Sequence, residues 1–403
     1  MSAGELNESQ PVLWLFSPAG ADGAPLGLEL AATWLRLTPC CQIAEQIRQD
    51  VDFLTTSLRN VPERHRSLRA VFDHSWQLLS EPERQVLAKL TVFRGGFDTE
   101  AAAWVASASL PVLAGLVDKS MVRCDAHGRY DLHELLRQYA AAKLTEQGQE
   151  QLSHQHFDYF LDLAAQGEPY LLYGGPGKLG WVERLDAEID NLRAASAWSL
   201  ACDDSALRVQ LSATLGHFWM CTARWREGYT WIERALPDSS TAPLAVQAAA
   251  LTGFGRLMFS FPGDIQRAES ICQEALRLAR ESGDRAVLER ALANAGYFGD
   301  SRNAIPLIEE AVRLNREWGN KGALLNALHV QAMRTMDTGD YERALALQEE
   351  GLALAREIQE PTLTGWSLYC MAEITLLQGN LSRTMDLCQE CLGLGVSGFG
   401  GRG

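Results

Sequence analysis

The chain has 403 residues, 47% hydrophobic and 22% charged, with a formal net charge of −15. That is globular composition sized for two or three domains. Its acidity disfavours nucleic acid except at a local basic patch, and no run approaches the roughly 20 apolar residues of a membrane span. Val12–Phe16 is too short for a secretory core and follows no basic segment. The nine cysteines, Cys40, Cys41, Cys124, Cys202, Cys221, Cys272, Cys370, Cys388 and Cys391, are odd in number and irregularly spaced. They read as reduced thiols of a cytoplasmic protein, and the lone Cys388-x-x-Cys391 pair reads as two small helix residues.

Elements become legible from residue 62. Leu68, Val71, Phe72, Trp76 and Leu79 form a helical stripe over Ser67 to Leu79. Ser80-Glu81-Pro82-Glu83 is a capping box opening a second helix through Leu90. Asp98 is placed to cap a third helix, Thr99 to Ala106, and a fourth spans Leu110 to Lys119. The period then changes: Met121–Cys124 and Arg129–Leu132 flank the turn Asp125-Ala126-His127-Gly128, a β-hairpin pattern. A last helix runs from Glu134 to Leu144. Helices followed by a hairpin is the winged-helix order, assigned to residues 62–147. DNA reading by the helix before the wing is disfavoured, because that helix offers only Lys119 and otherwise reads as buried. Between Pro62 and Thr145, 11 Lys and Arg face 10 Asp and Glu.

Residues 148–204 read as a helical adaptor, with Trp181, Leu185, Ile189, Leu192 and Ala195 on one helical face and a flexible glycine-rich connector at Gly174–Gly180. Over residues 205–395 one pattern recurs five times, beginning at Ala223, Gly263, Gly299, Gly339 and Gly379. Five residues in, the side chain is small (Gly228, Ala268, Ala304, Ala344, Thr384). Twelve in, it is small again (Ala235, Ala275, Ala311, Gly351, Cys391). Apolar residues fill the eighth and thirteenth positions, Trp231 and Leu236 in the first segment. Each segment is preceded by another apolar-periodic helix, so the unit is helix, tight turn, helix, and such hairpins must stack to bury their faces. The intervals are 40, 36, 40 and 40. The short one implies a turn of helix missing before Gly299.

The repeat resembles the tetratricopeptide repeat in its longer bacterial form, and the fold class expected is mainly α: a winged-helix domain followed by an α-solenoid. Such arrays bind proteins or peptides, or a small inducer, on the face lined by the first helices. Trp219, Tyr297, His329, Met333 and Tyr369 lie on those helices as candidate partner contacts.

Three further stretches, with the repeats, resemble the signal-transducing NTPase regulators (the STAND class, including LuxR-type and SARP-type bacterial transcription regulators). Gly23–Ala32 is similar to a stretch of their NTPase module. Arg64–Trp76 and Phe93-Arg94-Gly95-Gly96-Phe97 resemble their winged helix. Leu132-His133-Glu134 stands where the family has Met-His-Asp. The resemblance implies nucleotide contacts at Pro25, near the adenine, and at His133, near the diphosphate. Leu132 and Glu134 depart from the family pattern, and no GxxxxGK[ST] loop occurs. Gly174-Gly175-Pro176-Gly177-Lys178-Leu179-Gly180 has the wrong spacing. ADP or ATP would therefore need a missing phosphate-binding module, and no enzyme activity or metal site is expected of this chain. Residues 1–61 read as a helical remnant of the NTPase module, and 396–403 as a disordered glycine-rich tail. A truncated or frameshifted gene product would account for both ends. The leading expectation is a regulatory scaffold, the sensor and relay portion of such a regulator. The alternatives are a DNA-binding regulator using its winged helix and a nucleotide switch completed in trans.

Overall fold

The computed structural model describes residues 68–258, 265–298 and 301–394. The expected NTPase remnant with Pro25, the tail 396–403 and the turn glycines Gly263 and Gly299 lie outside the described residues. The chain divides into two compact units, Met1–Tyr159 and Phe160–Gly403.

In the first unit, helices α1 (Leu68–Gln77), α2 (Glu81–Leu90), α3 (Thr99–Ala106) and α4 (Leu110–Asp118) precede strands β1 (Arg123–Cys124) and β2 (Tyr130–Asp131) and helix α5 (Glu134–Ala141). The start signals act as their chemistry dictates. Glu83 Oε2 accepts from Ser80 N at 2.7 Å and from Ser80 Oγ at 2.8 Å, closing the start of α2. Asp98 accepts from Ala101 N at 2.7 Å and caps α3. The strands pair antiparallel, Arg123 opposite Asp131 and Cys124 opposite Tyr130. Gly128 takes φ +80° in their turn, where Asp125 Oδ1 accepts from the backbone of His127 and Arg129. Phe97 bridges to Tyr130 beside the hairpin. Leu87, Leu90, Phe93, Leu113, Leu116 and Leu135 are fully buried.

Helix α4 departs from expectation. Only Leu113 and Leu116 are buried, and Leu110 is 59% exposed. A nine-residue helix lying on a surface buries one stripe and leaves the other to solvent even when both are apolar.

Helix α6 (Glu146–Tyr173) runs through the boundary between the units, inside the stretch expected to be a separate adaptor. Its first half belongs to the first unit, where His156 lies 5.6 Å from Phe93 and Tyr159 5.7 Å from Trp104, ring to ring. Its second half opens the second unit. Helices α7 (Lys178–Ala187) and α8 (Ile189–Ala201) follow. The single face expected across Trp181 to Ala195 is broken at Glu188, whose buried carboxylate accepts from Asn191 Nδ2 at 2.7 Å. Arg193 then holds Glu227 through two bonds of 2.6 and 2.8 Å, tying α8 to the first repeat.

The repeats comprise α9 (Ser205–Thr214), α10 (Gly216–Cys221) and α11 (Trp225–Ala235), then a 3₁₀ turn (Leu236–Thr241). Four hairpins follow: α12 (Leu244–Met258) with α13 (Ile265–Ser282), α14 (Arg285–Phe298) with α15 (Ser301–Trp318), α16 (Lys321–Asp337) with α17 (Tyr341–Glu357), and α18 (Pro361–Leu377) with α19 (Leu381–Gly393). The second unit is thus a mainly α stack of helical hairpins. Helix α14 has 14 residues where α16 and α18 have 17, which supplies three of the four residues by which the 36-residue interval falls short.

The small positions are buried in the first four repeats: Gly228, Ala268, Ala304 and Ala344, then Ala235, Ala275, Ala311 and Gly351. A Cβ on Gly228 would stand 2.6 Å from Trp219 Cβ, so the helices meet at a distance only glycine permits. The eighth position is half-buried in those four repeats, and the fully buried seat is one residue later, at Ile232, Cys272, Ile308 and Gln348. Positions five, nine and twelve form an i, i+4, i+7 stripe, and the eighth flanks it. In the fifth repeat Thr384 and Cys391 are only half-buried and Leu392 is 81% exposed.

Left-handed residues punctuate the turns. Gly339 and Gly379 take φ +83° and +78° within hairpins; Gly283, Gly319 and Gln359, at +70°, +72° and +55°, stand between repeats. Ion pairs join successive second helices: Arg280–Glu310, Arg316–Glu350 and Arg356–Glu390 run forward, and Arg267–Glu233 and Arg343–Glu309 run back.

Candidate functional site

The first helices of the repeats share a face on which two groups of side chains gather. One is a small cleft of about 30 Å³, lined by Tyr173 of α6, His217 of α10, Thr252 and Arg256 of α12, Glu289, Arg290 and Asn294 of α14, and Asn326 of α16. That volume admits one or two water-sized polar groups.

Most charges around this cleft are matched. Arg290 Nη1 bonds Glu168 Oε1 at 2.6 Å. Tyr173 donates its hydroxyl to Glu289, which also accepts from Asn320 Nδ2 at 3.2 Å. Burial nonetheless raises the Glu289 pKa, and burial together with this carboxylate raises that of Tyr173. Asn294 Nδ2 donates to the Thr252 carbonyl at 2.8 Å, fixing α14 against α12. His217 is held well below its usual pKa by burial, then by Arg256 and Arg290, and is neutral. Arg256 is different. Its guanidinium lies 5.6 Å from the Tyr297 ring centroid, burial lowers its pKa, and no carboxylate among the described residues pairs with it.

The second group is aromatic. His329 of α16 lies 5.5 Å from Trp366 of α18, and Trp366 5.8 Å from Tyr369, ring to ring. Trp366 donates its indole N–H to His329 Nε2. Burial pushes His329 down to about 4, so it is neutral. Its Nδ1 lies 3.1 Å from Gln348 Nε2. Trp366 is 37% exposed and Tyr369 48% exposed.

The structure therefore joins two of the five expected contacts, His329 and Tyr369, through a residue the repeat pattern did not single out, Trp366. Tyr297 belongs to the cleft side, beneath Arg256. Met333 is half-buried one turn after His329. Trp219 is fully buried against Gly228 and is removed from the partner-facing set, because an indole of that volume fills the gap left by glycine. Arg256 and His217 escaped sequence reading. The available signal was that Arg256 is the single charged residue in α12.

In the first unit, His133 stands at the start of α5, where Nδ1 accepts from Leu135 N at 3.3 Å. Burial, then Arg123, keep its pKa low, and a neutral ring nitrogen is what a helix cap requires. Lys119, the cation expected on α4, is bound by both oxygens of Glu83 at 2.6 Å. Among the described residues no group of three or more His, Cys, Asp or Glu could hold a metal, and no single helix is long and apolar enough to cross a membrane.

The family described as anaphase-promoting complex subunit 5 matches residues 238–296 and 286–333, inside the repeats. Rv0890c of Mycobacterium tuberculosis (strain ATCC 25618 / H37Rv), provisionally named an HTH-type transcriptional regulator, is 34% identical over 394 residues, which is 92% of this chain and 44% of that protein. The crystal structure of PH0952 from Pyrococcus horikoshii, a signal transduction ATPase with numerous domains and a tetratricopeptide repeat sensor, matches with a TM-score of 0.52 at 13% identity, over 91% of this chain and 59% of that one. At that identity the likeness to the archaeal protein shows a shared fold. The chain spans just under half the length of the mycobacterial relative and shares its fold with 59% of the archaeal chain. A further relative, the uncharacterised Rv0894 of the same Mycobacterium tuberculosis strain, is 34% identical over 139 residues, 32% of this chain and 35% of that protein.

Proposed function

We propose that this chain is the sensor and relay portion of a cytoplasmic bacterial transcription regulator, and that the shared face of its first helices binds a protein, a peptide or a small inducer. The observation that carries this reading is the concentration on one face of a small polar cleft and a His329–Trp366–Tyr369 cluster whose tryptophan and tyrosine are partly exposed. Aromatic side chains that keep substantial exposure beside a polar cleft are what a peptide-binding surface requires. The 34% identity to an HTH-type regulator over 92% of the chain supports the regulatory setting.

On this reading the helices and hairpin of residues 62–147 form a winged helix that relays a signal and does not read DNA. Helix α4 presents Leu110 and Ala114 outward, and its cation is committed to Glu83. Phosphate contact needs several available cations. The chain itself performs no catalysis, and His133 serves as a cap.

The test screens metabolites and peptides by thermal shift on the full chain. A ligand that raises Tm for the wild type and not for a Trp366→Ala/Tyr369→Ala double variant supports the reading. Ligands indifferent to that pair and to every cleft residue would overturn it. Salt-sensitive, sequence-specific gel shift by the chain alone would favour the DNA-binding alternative, and stabilisation by ADP below millimolar concentration the nucleotide switch.

A further inference from the structure

We propose that the cleft takes a carboxylate group, with Arg256 as its counter-ion and His217 and Asn294 beside it. This rests on the reading that the first-helix face is the binding face, and adds the chemistry of what binds there. The argument is one of charge matching. The chain carries 51 acidic against 36 basic residues, so carboxylates are in excess. Around the cleft they find partners: Glu168 with Arg290, Glu360 with Lys178, and Glu289 with the Tyr173 hydroxyl and the Asn320 amide; Asp337 pairs with Arg334, whose guanidinium also binds the Gly296 and Tyr297 carbonyls.

Arg256 alone among these cations has an aromatic ring below it and no acid paired with it among the described residues. It projects from a helix with no other charge, in a chain whose folding could have placed an apolar residue there at less cost. Removing a guanidinium from bulk water without a partner is expensive, and a planar fork with five donors is shaped for a carboxylate. The floor of the cleft is already set. Asn294 is held by the Thr252 carbonyl, and Tyr297 fixes the guanidinium plane from one side. A neutral imidazole at His217 can donate one hydrogen bond to an anion without adding a second buried charge.

The carboxylate can belong to a small organic acid or to a peptide. Calorimetric titration of the full chain with succinate, and with N-acetyl-leucyl-leucine as free acid and as amide, separates the two sources. The expected result is saturable binding of succinate or of the free acid, at least tenfold weaker for the amide. Arg256→Gln should weaken binding tenfold or more, while Arg256→Lys retains most of it. Circular dichroism and Tm of Arg256→Gln confirm that the fold survives; if it does not, the free-acid against amide comparison on the wild type decides. Equal binding of acid and amide, or of wild type and folded Arg256→Gln, overturns the carboxylate inference. In that case a ligand still lost on Trp366→Ala/Tyr369→Ala would leave the binding-face reading intact, and a chain that binds nothing on either set of residues would end both.

Discussion

Lys178 and Glu360, 182 positions apart in the chain, meet at 2.7 Å with the carboxylate only 1% exposed. Glu360 also accepts from Leu363 N at 2.9 Å and so caps α18. The glycine-rich connector read as flexible is thereby pinned to the fourth hairpin: a Cβ at Gly174 would fall 2.0 Å from Glu360 Cγ, and one at Gly322 would fall 2.6 Å from Tyr173 Cβ. The adaptor is an integral edge of the repeat stack.

This pair should dominate over the exposed ones. Lys178→Met leaves a buried carboxylate without its cation and should cost about 3 kcal/mol. Arg316→Ala, which breaks the exposed pair with Glu350, should cost less than about 1 kcal/mol. Urea unfolding of both variants checks the contrast, and equal losses would show that Lys178 is solvated in solution.

Two turns carry avoidable strain. Ala223 and Gln359 both take φ +55°, where other turns of the array use glycine. Glycine relieves a cost of about 1–2 kcal/mol for a left-handed residue and loses part of it to greater unfolded-state freedom. Ala223→Gly and Gln359→Gly should each stabilise by about 0.5 kcal/mol, seen as a rise in urea midpoint. A fall at either site would mean that the side chain contributes more than its strain.

Gly228 poses the reverse case. Alanine is the better helix former by about 1 kcal/mol, but its methyl would sit 2.6 Å from Trp219 Cβ and Cγ. The neighbour is the root of a buried indole and cannot swing aside, so overpacking wins. Gly228→Ala should destabilise by about 1–2 kcal/mol. Combining it with Trp219→Leu should recover part of the loss, and a double-mutant cycle measures the coupling.

Acid should weaken the repeats through their histidines. His329 is held at about 4 in the fold against 6.5 ordinarily. Between those values the unfolded chain binds more protons, so stability is fully present above pH 6.5 and declines as pH falls towards 4. The contribution is at most about 3 kcal/mol. His217 shifts in the same direction. Glu83, lowered to about 2 chiefly by its bond from Lys119, adds a separate loss below pH 4.5. Urea unfolding at pH 7.0 and 4.5 should show a smaller difference for His329→Gln than for the wild type. An unchanged difference would assign the dependence elsewhere.

Sequence periodicity determined the hairpins, their stacking and their small-residue contacts. Positions five and twelve must be short wherever two helices cross closely, and glycine is the least strained residue at a left-handed turn, so local chemistry wrote both into the chain. It also placed the capping box at Ser80, the cap at Asp98 and the turn at Gly128. Tertiary structure alone decided which aromatic residues are reachable, burying Trp219 while leaving Trp366 half-exposed, because the same helix register serves core and surface according to what packs against it. It alone brought Lys178 to Glu360 and left Arg256 without a paired acid among the described residues, since pairing across 182 residues, or the lack of it, has no period to be read.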